Sequence, residues 1–390
     1  MTLAVIGGRV SVQENRLFAH VSFGKIIEAF AVRYKHVYLS APLNSRLSSE
    51  QDYLLPDNVT LLAQPNWTTT LNSFKHLGKI KASYRKVINA ADHVFVRGNP
   101  VAATAALYRY CTILDKPVCH WLVGNPMALL KSHKRSNLIK DALGKFYIWL
   151  WEKQLMRGRA RSDGSFICNG EELAVRFASP KTIVTVSTTL SPDDFFERED
   201  TCQGDTINIL SLCFIRPEKG LEYLIEAFAQ LKPTNKTLKL VLAGGRDRYQ
   251  KYQQKLDQLV IDLGIESAIH WPGHIKYQDV PELMRQADLF VLPTLSEGTP
   301  RALVEARANS LPLIATNVGG IPTSVTDSFD GFLVPPKDSS ALAEAILKLI
   351  NNSKLRRQFI KNGYNRAKDL TTDSFVLQVI GCLTDYRGHL

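Results

Sequence analysis

The stretch 289–305, LFVLPTLSEGTPRALVE, constrains the fold of this chain more than any other. Its first four residues form a short apolar run that is typical of a buried parallel strand, and Pro293 ends that run. Thr299 and Pro300 indicate a helix start, because threonine can cap free backbone N–H groups and proline suits the first helical position. The stretch therefore predicts a strand, a polar loop and a helix N-terminus, which together can bind an anion.

Two carboxylates, Glu297 and Glu305, flank this loop. A site for phosphate alone has no need of carboxylates, whereas sugar and ribose hydroxyls donate hydrogen bonds to them. The residue types therefore predict a site for a nucleotide diphosphate that carries a sugar. A structural interpretation also fits the same residues, with Glu297 as a solvated loop charge and Arg301–Glu305 as a surface ion pair. The two glutamates alone leave both interpretations open.

Short β-type runs alternate with helical segments along the whole chain. They cover residues 2–6, 37–40, 59–63, 93–97, 117–122, 166–168, 183–186, 207–212, 238–243, 269–271, 289–292, 313–315 and 332–334. This alternation predicts an α/β fold in which parallel sheets carry helices on both faces. The first run ends in a glycine turn at Gly8, and the pattern of residues 9–30 predicts a helix.

A chain of 390 residues exceeds the usual size of a single core. We therefore expect two Rossmann-like, doubly wound domains, 1–190 and 191–373, joined near residues 188–206, with a final helix over 374–390. No apolar run reaches the ~18 residues that span a bilayer, and the N-terminus lacks the pattern of a signal peptide. The six cysteines show no metal-binding spacing and fit a reducing cytoplasm.

The net charge of +11 is unevenly distributed along the chain. Residues 1–165 hold 23 Lys and Arg against 10 Asp and Glu, which indicates an anionic partner for this part. Residues 131–161 contain nine of these bases around an apolar, aromatic centre. This composition suits an anionic membrane surface, and a buried helix with a basic rim is the alternative. Nucleic acid is not the partner that we expect here.

The residues Glu297-Gly-Thr-Pro-Arg-Ala-Leu-Val-Glu305 resemble the Glu-x7-Glu signature of the retaining family-4 glycosyltransferases, which have the two-domain GT-B fold. The segments 311–322 and 330–336 are similar to that family over their whole length. The resemblance extends over about residues 207–350. It implies two Rossmann-like domains facing a central cleft, and a final helix that packs back on the first domain.

The resemblance also implies roles for individual residues. Glu297 and Lys219 would be catalytic, with Glu297 holding the donor sugar and Lys219 the pyrophosphate. The donor-binding residues would be Gly8, Arg216, Lys219, Ile275, Glu297, Gly298, Thr299, Pro300, Arg301, Ala302 and Glu305. Phe214 stands where the family usually has an arginine, so either Arg216 replaces that charge or the role of the arginine is lost. On the acceptor side, His120 is a candidate.

No two aspartates are separated by one residue, so the Asp-x-Asp pair of metal-dependent transferases is missing. Fixed cations and backbone dipoles would then stabilise the leaving pyrophosphate, with no cofactor and no metal. We expect a retaining hexosyltransferase that uses UDP-glucose, ahead of GDP-mannose, and an acceptor of surface polysaccharide synthesis that could be lipid-linked. It would lie in the cytoplasm, with possible contact to the membrane surface. The alternatives are a soluble synthase of a small glycoside or storage glucan, a sugar-nucleotide epimerase, and a non-catalytic binder of the donor.

Overall fold

The structure is a computed structural model. It describes residues 1–43, 53–67, 70–98, 103–124, 138–186, 188–231, 235–245 and 249–385. The chain forms two compact units: unit 1 comprises Met1–Thr185 with Thr372–Leu390, and unit 2 comprises Val186–Thr371. The sequence predicts the boundary between the two domains slightly later, after residue 190.

Unit 1 is built on a parallel sheet, as predicted. Its strands are β1 (Thr2–Ile6), β2 (Val10–Gln13), β3 (Arg16–Ala19), β4 (His36–Ser40), β5 (Tyr53–Leu54), β6 (Val59–Leu61), β7 (His93–Arg97), β8 (Val118–Leu122), β9 (Ser165–Asn169) and β10 (Thr182–Thr185). Seven of them form one sheet in the order β10-β9-β8-β7-β1-β4-β6. All pairs in that sheet are parallel. Strands β2, β3 and β5 form a small antiparallel sheet.

The prediction of a helix over residues 9–30 is wrong for its first half. Strands β2 and β3 form a hairpin there, and its two turn residues, Glu14 and Asn15, have φ values of 49° and 61°. Two consecutive residues with positive φ match the twist of a two-residue hairpin, so the turn overrides the helical pattern. The helix begins only after His20, whose side chain accepts a hydrogen bond from the backbone N–H of Ser22.

The helices of unit 1 before residue 185 are α1 (Val21–Arg33), α2 (Thr70–Phe74), α3 (Leu77–Ala90), α4 (Thr104–Ile113), α5 (Leu138–Arg161) and α6 (Glu171–Arg176). Helix α5 holds the later part of the basic stretch, whereas residues 131–137 lie outside the described residues. Among the helices that the structure describes, none combines the length and the apolar character needed to cross a bilayer.

Unit 2 contains the second parallel sheet, in the order β13-β12-β11-β14-β15-β16. Its strands are β11 (Thr206–Leu212), β12 (Thr237–Ala243), β13 (Ile269–Gly273), β14 (Leu289–Leu292), β15 (Leu313–Thr316) and β16 (Phe332–Val334). Its helices are α7 (Leu221–Gln230), α8 (Gln250–Asp262), α9 (Val280–Arg285), α10 (Arg301–Ala308), α11 (Ile321–Ser324), α12 (Ser339–Asn351) and α13 (Ser353–Lys368). All six strands that the sequence predicted for this part are confirmed.

The last helix, α14 (Thr372–Thr384), belongs to unit 1. The Phe375 ring lies 4.8 Å from that of Trp121 on β8 and 6.3 Å from that of Phe95 on β7, measured between centroids. At the start of the helix, Asp373 pairs with Arg33 of α1 at 3.1 Å. The final helix therefore covers one face of the first sheet with an aromatic side chain in the core.

Strand β8 carries His120 into the interior of unit 1, where its exposed fraction is 3%. The ring nitrogen Nε2 lies 3.0 Å from the Gly98 carbonyl, and Nδ1 lies 2.9 Å from the Tyr108 hydroxyl. Because a carbonyl only accepts, Nε2 carries the hydrogen and Nδ1 accepts from the tyrosine. Burial lowers the pKa of His120 to about 4. The neutral ring thus uses both nitrogens inside the unit, and the interpretation of His120 as a structural residue fits better than a catalytic one.

We expect His120 to make the stability of unit 1 depend on pH. An unfolded histidine binds a proton below its ordinary pKa of 6.5, whereas the folded ring stays neutral down to about 4. The free energy of unfolding should therefore fall, by up to about 3 kcal/mol, as the pH is lowered through this window. The measurement is urea unfolding followed by tryptophan fluorescence, since four of the five tryptophans lie in unit 1.

The matched variant is His120→Gln, because glutamine can donate to the Gly98 carbonyl and accept from Tyr108 without a titrating ring. It should show a weaker pH dependence than the unaltered chain over the same range. Burial also lowers the pKa of His93, but His93 is present in both chains, so their difference isolates His120. Identical pH profiles for the two chains would contradict the prediction.

Candidate active site

The topology of unit 2 marks one edge of its sheet as a ligand site. From β11 the chain moves outward through β12 to β13, and then returns to place β14 on the other side of β11. In open α/β sheets, ligands bind beyond the carboxyl ends of the strands at this reversal, which is called the topological switch point. The loops that follow β11 and β14 therefore frame the candidate site, and they contain Lys219 and Glu297.

The backbone carbonyl of Glu218 holds these two loops together. It accepts a hydrogen bond from the Leu295 N–H at 2.8 Å and another from the Thr294 hydroxyl at 3.0 Å. Gly220 follows in the left-handed region with φ of 61°, and a Cβ there would lie 2.5 Å from the Pro293 carbonyl oxygen. The sequence gives Thr294 no role beyond membership of this loop, and only the structure shows that its side chain is fully buried two residues after β14.

The two hydrogen bonds to the Glu218 carbonyl bring together the two residues that were predicted to be catalytic. Lys219 Nζ and Glu297 Oε2 form an ion pair, and their side chains are 12% and 20% exposed. A partly buried cation beside a carboxylate can hold a phosphate and a sugar hydroxyl at neighbouring positions. The nearby thiol of Cys213 has its pKa raised by burial to about 11, so it is not a nucleophile at neutral pH.

Arg216 adds a second cation to the loop after β11. Its guanidinium pairs with Glu218 at 3.2 Å and lies 4.9 Å from the centre of the Phe214 ring. Phe214, at the position where the resemblance implies an arginine, is 56% exposed. The two side chains therefore pack on each other in the loop that carries Lys219.

The helix after Glu297 starts differently from the prediction. Helix α10 begins at Arg301, and Pro300 occupies the cap position without a side-chain hydrogen bond, so Thr299 does not cap the helix. Pro300 itself has an extended backbone, with φ of −73° and ψ of 123°, so the helix starts one residue later and Thr299 stands one position too early to cap it. Its hydroxyl is buried and has no hydrogen-bond partner among the described residues.

Two glycines after β15 pass close to the backbone of the Glu297 loop. Gly319 has φ of 54°, and a Cβ there would lie 1.9 Å from the Glu297 carbonyl oxygen. A Cβ on Gly320 would lie 2.5 Å from the Gly298 carbonyl oxygen, and the Gly320 N–H donates to the Glu297 carbonyl at 3.3 Å. The turn after β15 thus packs directly against the backbone of the Glu297 loop.

The remaining predicted residues fall at three places. Glu305 and Ala302 lie on α10, within the helix that follows the loop. Ile275 follows β13 and packs against the core beneath this edge of the sheet. Gly8 belongs to unit 1, where it ends β1 with φ of 76°. Within the described ranges, no three His, Cys, Asp or Glu side chains are grouped as metal ligands.

We expect Gly320→Ala to disturb this loop and Gly298→Ala to leave its fold intact. The new methyl at Gly320 would overlap the Gly298 carbonyl, whereas the one at Gly298 would meet nothing within 4 Å. Overpacking of this kind costs about 1–3 kcal/mol, against about 0.5 kcal/mol or less at an open position. Urea unfolding of both variants measures the difference, and equal stabilities would contradict the described packing.

The comparisons with known proteins agree with this architecture. Residues 194–366 match the family "Glycosyl transferases group 1". The chain is 33% identical over 163 residues to the uncharacterized glycosyltransferase MJ1178 of Methanocaldococcus jannaschii, covering 42% of this chain and 44% of that protein. It is 29% identical over 192 residues to the putative colanic acid biosynthesis glycosyltransferase WcaL of Salmonella typhimurium, covering 48% and 46%. The chain thus spans less than half of the length of these relatives.

Among solved structures, the chain is similar to Anabaena Alr3699/HepE in complex with UDP, with a TM-score of 0.69 and 17% identity. That match covers 99% of this chain and 100% of the other, so it concerns the fold of both units. HepE has also been solved in complex with UDP-glucose. Residues 194–366 are therefore similar to the glycosyl transferases group 1, within a chain that has the two Rossmann-like sheets of the GT-B fold.

Proposed function

We propose that this chain is a retaining, metal-independent glycosyltransferase that moves glucose from UDP-glucose to an acceptor in surface polysaccharide synthesis. The observation that carries the proposal is the Lys219–Glu297 ion pair at the switch point of unit 2. It places a cation for phosphate beside a carboxylate for sugar hydroxyls, next to the N-terminus of α10. The name of WcaL supports a polysaccharide acceptor, and the UDP and UDP-glucose complexes of HepE support the donor.

In this proposal, the reaction breaks the bond between the anomeric carbon of glucose and the β-phosphate oxygen, which keeps the electron pair. Lys219 and Arg216 supply positive charge for the diphosphate that leaves, together with the first-turn N–H groups of α10. Glu297 accepts hydrogen bonds from the sugar hydroxyls and fixes the orientation of the ring. The acceptor oxygen bonds to the same face of the anomeric carbon, and its proton passes to the leaving phosphate oxygen.

Backbone and side-chain groups around the pair complete the donor site. The loop residues Gly298 to Ala302 would contact the sugar and the phosphates, including the buried hydroxyl of Thr299. Glu305 would accept from the ribose hydroxyls, and the Ile275 backbone would contact the base. These roles are those implied by the resemblance, and the position of the loop supports the first of them.

The first experiment is calorimetric titration of the full chain with UDP, GDP, ADP, UDP-glucose and GDP-mannose. We expect UDP and UDP-glucose to bind most tightly. Ligand at ~100 times its dissociation constant stabilises the folded state by ~2.7 kcal/mol, which a thermal shift also detects. Glu305→Ala should weaken UDP binding by about 10- to 100-fold, the value of a hydrogen bond to a charged group.

Glu344→Ala is the matched control, because Glu344 is exposed on α12 and remote in sequence from the loops of the site. It should bind UDP like the unaltered chain. Binding unaffected by Glu305→Ala, or tighter binding of GDP-mannose, would contradict the proposed site or donor. Glucose release from UDP-glucose, measured with and without EDTA, tests whether turnover needs a metal, and NMR of the glycoside product reads the anomeric configuration.

We further propose that the chain acts at the anionic inner surface of a membrane, on a lipid-linked acceptor, through helix α5. One face of this helix packs inward through Ile148, Trp151 and Leu155, so Trp151 is not available to a lipid surface. Its opposite face is exposed and mixes apolar, aromatic and basic side chains: Leu143, Phe146, Trp149, Leu150, Lys153 and Arg157. This composition is typical of helices that lie in a membrane interface.

We expect vesicles with about one-third anionic lipid to bind the chain through this face, since each basic residue near such a surface contributes about 1 kcal/mol. Phe146→Ser with Trp149→Ser should reduce the partition coefficient about tenfold or more, measured by vesicle sedimentation. Ile113→Ser, which also removes an exposed apolar side chain from unit 1, should leave it unchanged. Equal binding to neutral vesicles, or equal loss in both variants, would contradict the proposal.

A further inference from the structure

Unit 1 has its own topological switch point, and a cavity lies there. Its chain places β4 and β6 on one side of β1 and then returns to place β7 on the other side. A cavity of about 500 Å³ is lined by residues at and just beyond the carboxyl ends of β1 and β7, including Gly8, Arg9 and Arg97. The same rule that marks the candidate site of unit 2 therefore marks this cavity as a second ligand site.

The charged side chains described around the cavity are positive. Arg9 and Arg97 line it, and its described lining contains no aspartate or glutamate. His120 also lines it, but its ring is neutral and already bonded on both nitrogens. The cavity therefore favours an anionic group, and guanidinium groups match the planar geometry of carboxylates and phosphates.

Aromatic rings hold both guanidinium groups in place. The Arg97 guanidinium lies 5.2 Å from the centre of the Phe23 ring and 5.3 Å from that of Trp121. The Arg9 guanidinium lies 5.4 Å from the centre of the Trp67 ring and donates a hydrogen bond to the Trp67 carbonyl. Such contacts keep the arginines ordered before a ligand arrives, so less conformational entropy is lost on binding.

Trp67 gives the cavity a second kind of surface. Its indole N–H donates to the Gln64 side chain at 3.2 Å, and that side chain in turn donates to the Ser40 carbonyl at 3.1 Å. The ring is thus fixed at the wall of the cavity. An anion-selective cavity with an aromatic wall suits a ligand that is both a sugar and an acid.

We propose that this cavity binds an acidic sugar, one that carries a phosphate ester or a carboxylate, with Arg9 and Arg97 on the anionic group. As the identity of the acceptor, the inference rests on the proposed glycosyl transfer; as a binding site, it stands on the cavity alone. The acidic group sets which acceptors are recognised, and it adds affinity that a neutral sugar cannot supply.

The test is calorimetric titration of the full chain with glucose, glucose 6-phosphate and glucuronate, with saturating UDP present throughout. We expect at least one acidic sugar to bind about tenfold or more tightly than glucose. Arg9→Gln should remove that preference, and Arg97→Lys should weaken it, because a lysine keeps the charge without the planar fork. Arg109→Gln, an exposed arginine on α4 of the same unit, should leave it unchanged.

The contrary outcomes are equally definite. No preference for acidic sugars, or an equal loss in Arg109→Gln, would overturn the proposal. The titration is repeated without UDP: an acidic sugar that binds only when UDP is absent would also overturn the proposal, since the arginines would then hold the donor's diphosphate. Titration with UDP alone tests the proposed donor site separately, so a failure of one site is distinguishable from a failure of the other.

Discussion

The backbone carbonyl of Glu218 accepts two hydrogen bonds from the loop after β14, and the candidate active site depends on them. Lys219 and Glu297 are separated by 78 positions in the chain, so no local interaction could bring them together. The donors are the Thr294 hydroxyl and the Leu295 backbone N–H. Because both bond to the loop after β11, these two hydrogen bonds fix the two loops relative to each other. The Thr294 side chain is fully buried, so the bond from its hydroxyl is costly to lose.

The same topology gives each unit one place where loops from opposite sides of the sheet diverge. Unit 2 has a cation and a carboxylate at this place, whereas the residues described around the unit 1 cavity include two arginines and no acidic side chain. The difference is chemical, not architectural, and it follows from a few side chains after the strands. One fold can therefore present two kinds of site, for ligands with different charges and hydroxyl patterns.

Much of the fold could be predicted from the sequence, because buried parallel strands are short apolar runs that need no distant partner to be recognised. The loop with Glu297 was predictable for the same reason. The resemblance of residues 297–305 to a known family signature added to that prediction. The hairpin at Glu14 and Asn15 was missed, since positive φ at two consecutive positions is invisible in an apolar pattern. The burial of Trp151 depends on the orientation of its helix. The failure of Thr299 to cap α10 depends on a shift of a single residue, and composition encodes neither feature.

Helix α14 has a consequence for the order in which the chain acquires its structure. Phe375 packs between residues that were synthesised more than 250 positions earlier, Phe95 and Trp121. Unit 2 is one continuous segment that leaves the ribosome before this helix, so it can complete its core first. Unit 1, although it holds the N-terminus, stays without part of its aromatic core until the last helix is made. The N-terminal unit is therefore the last to be finished.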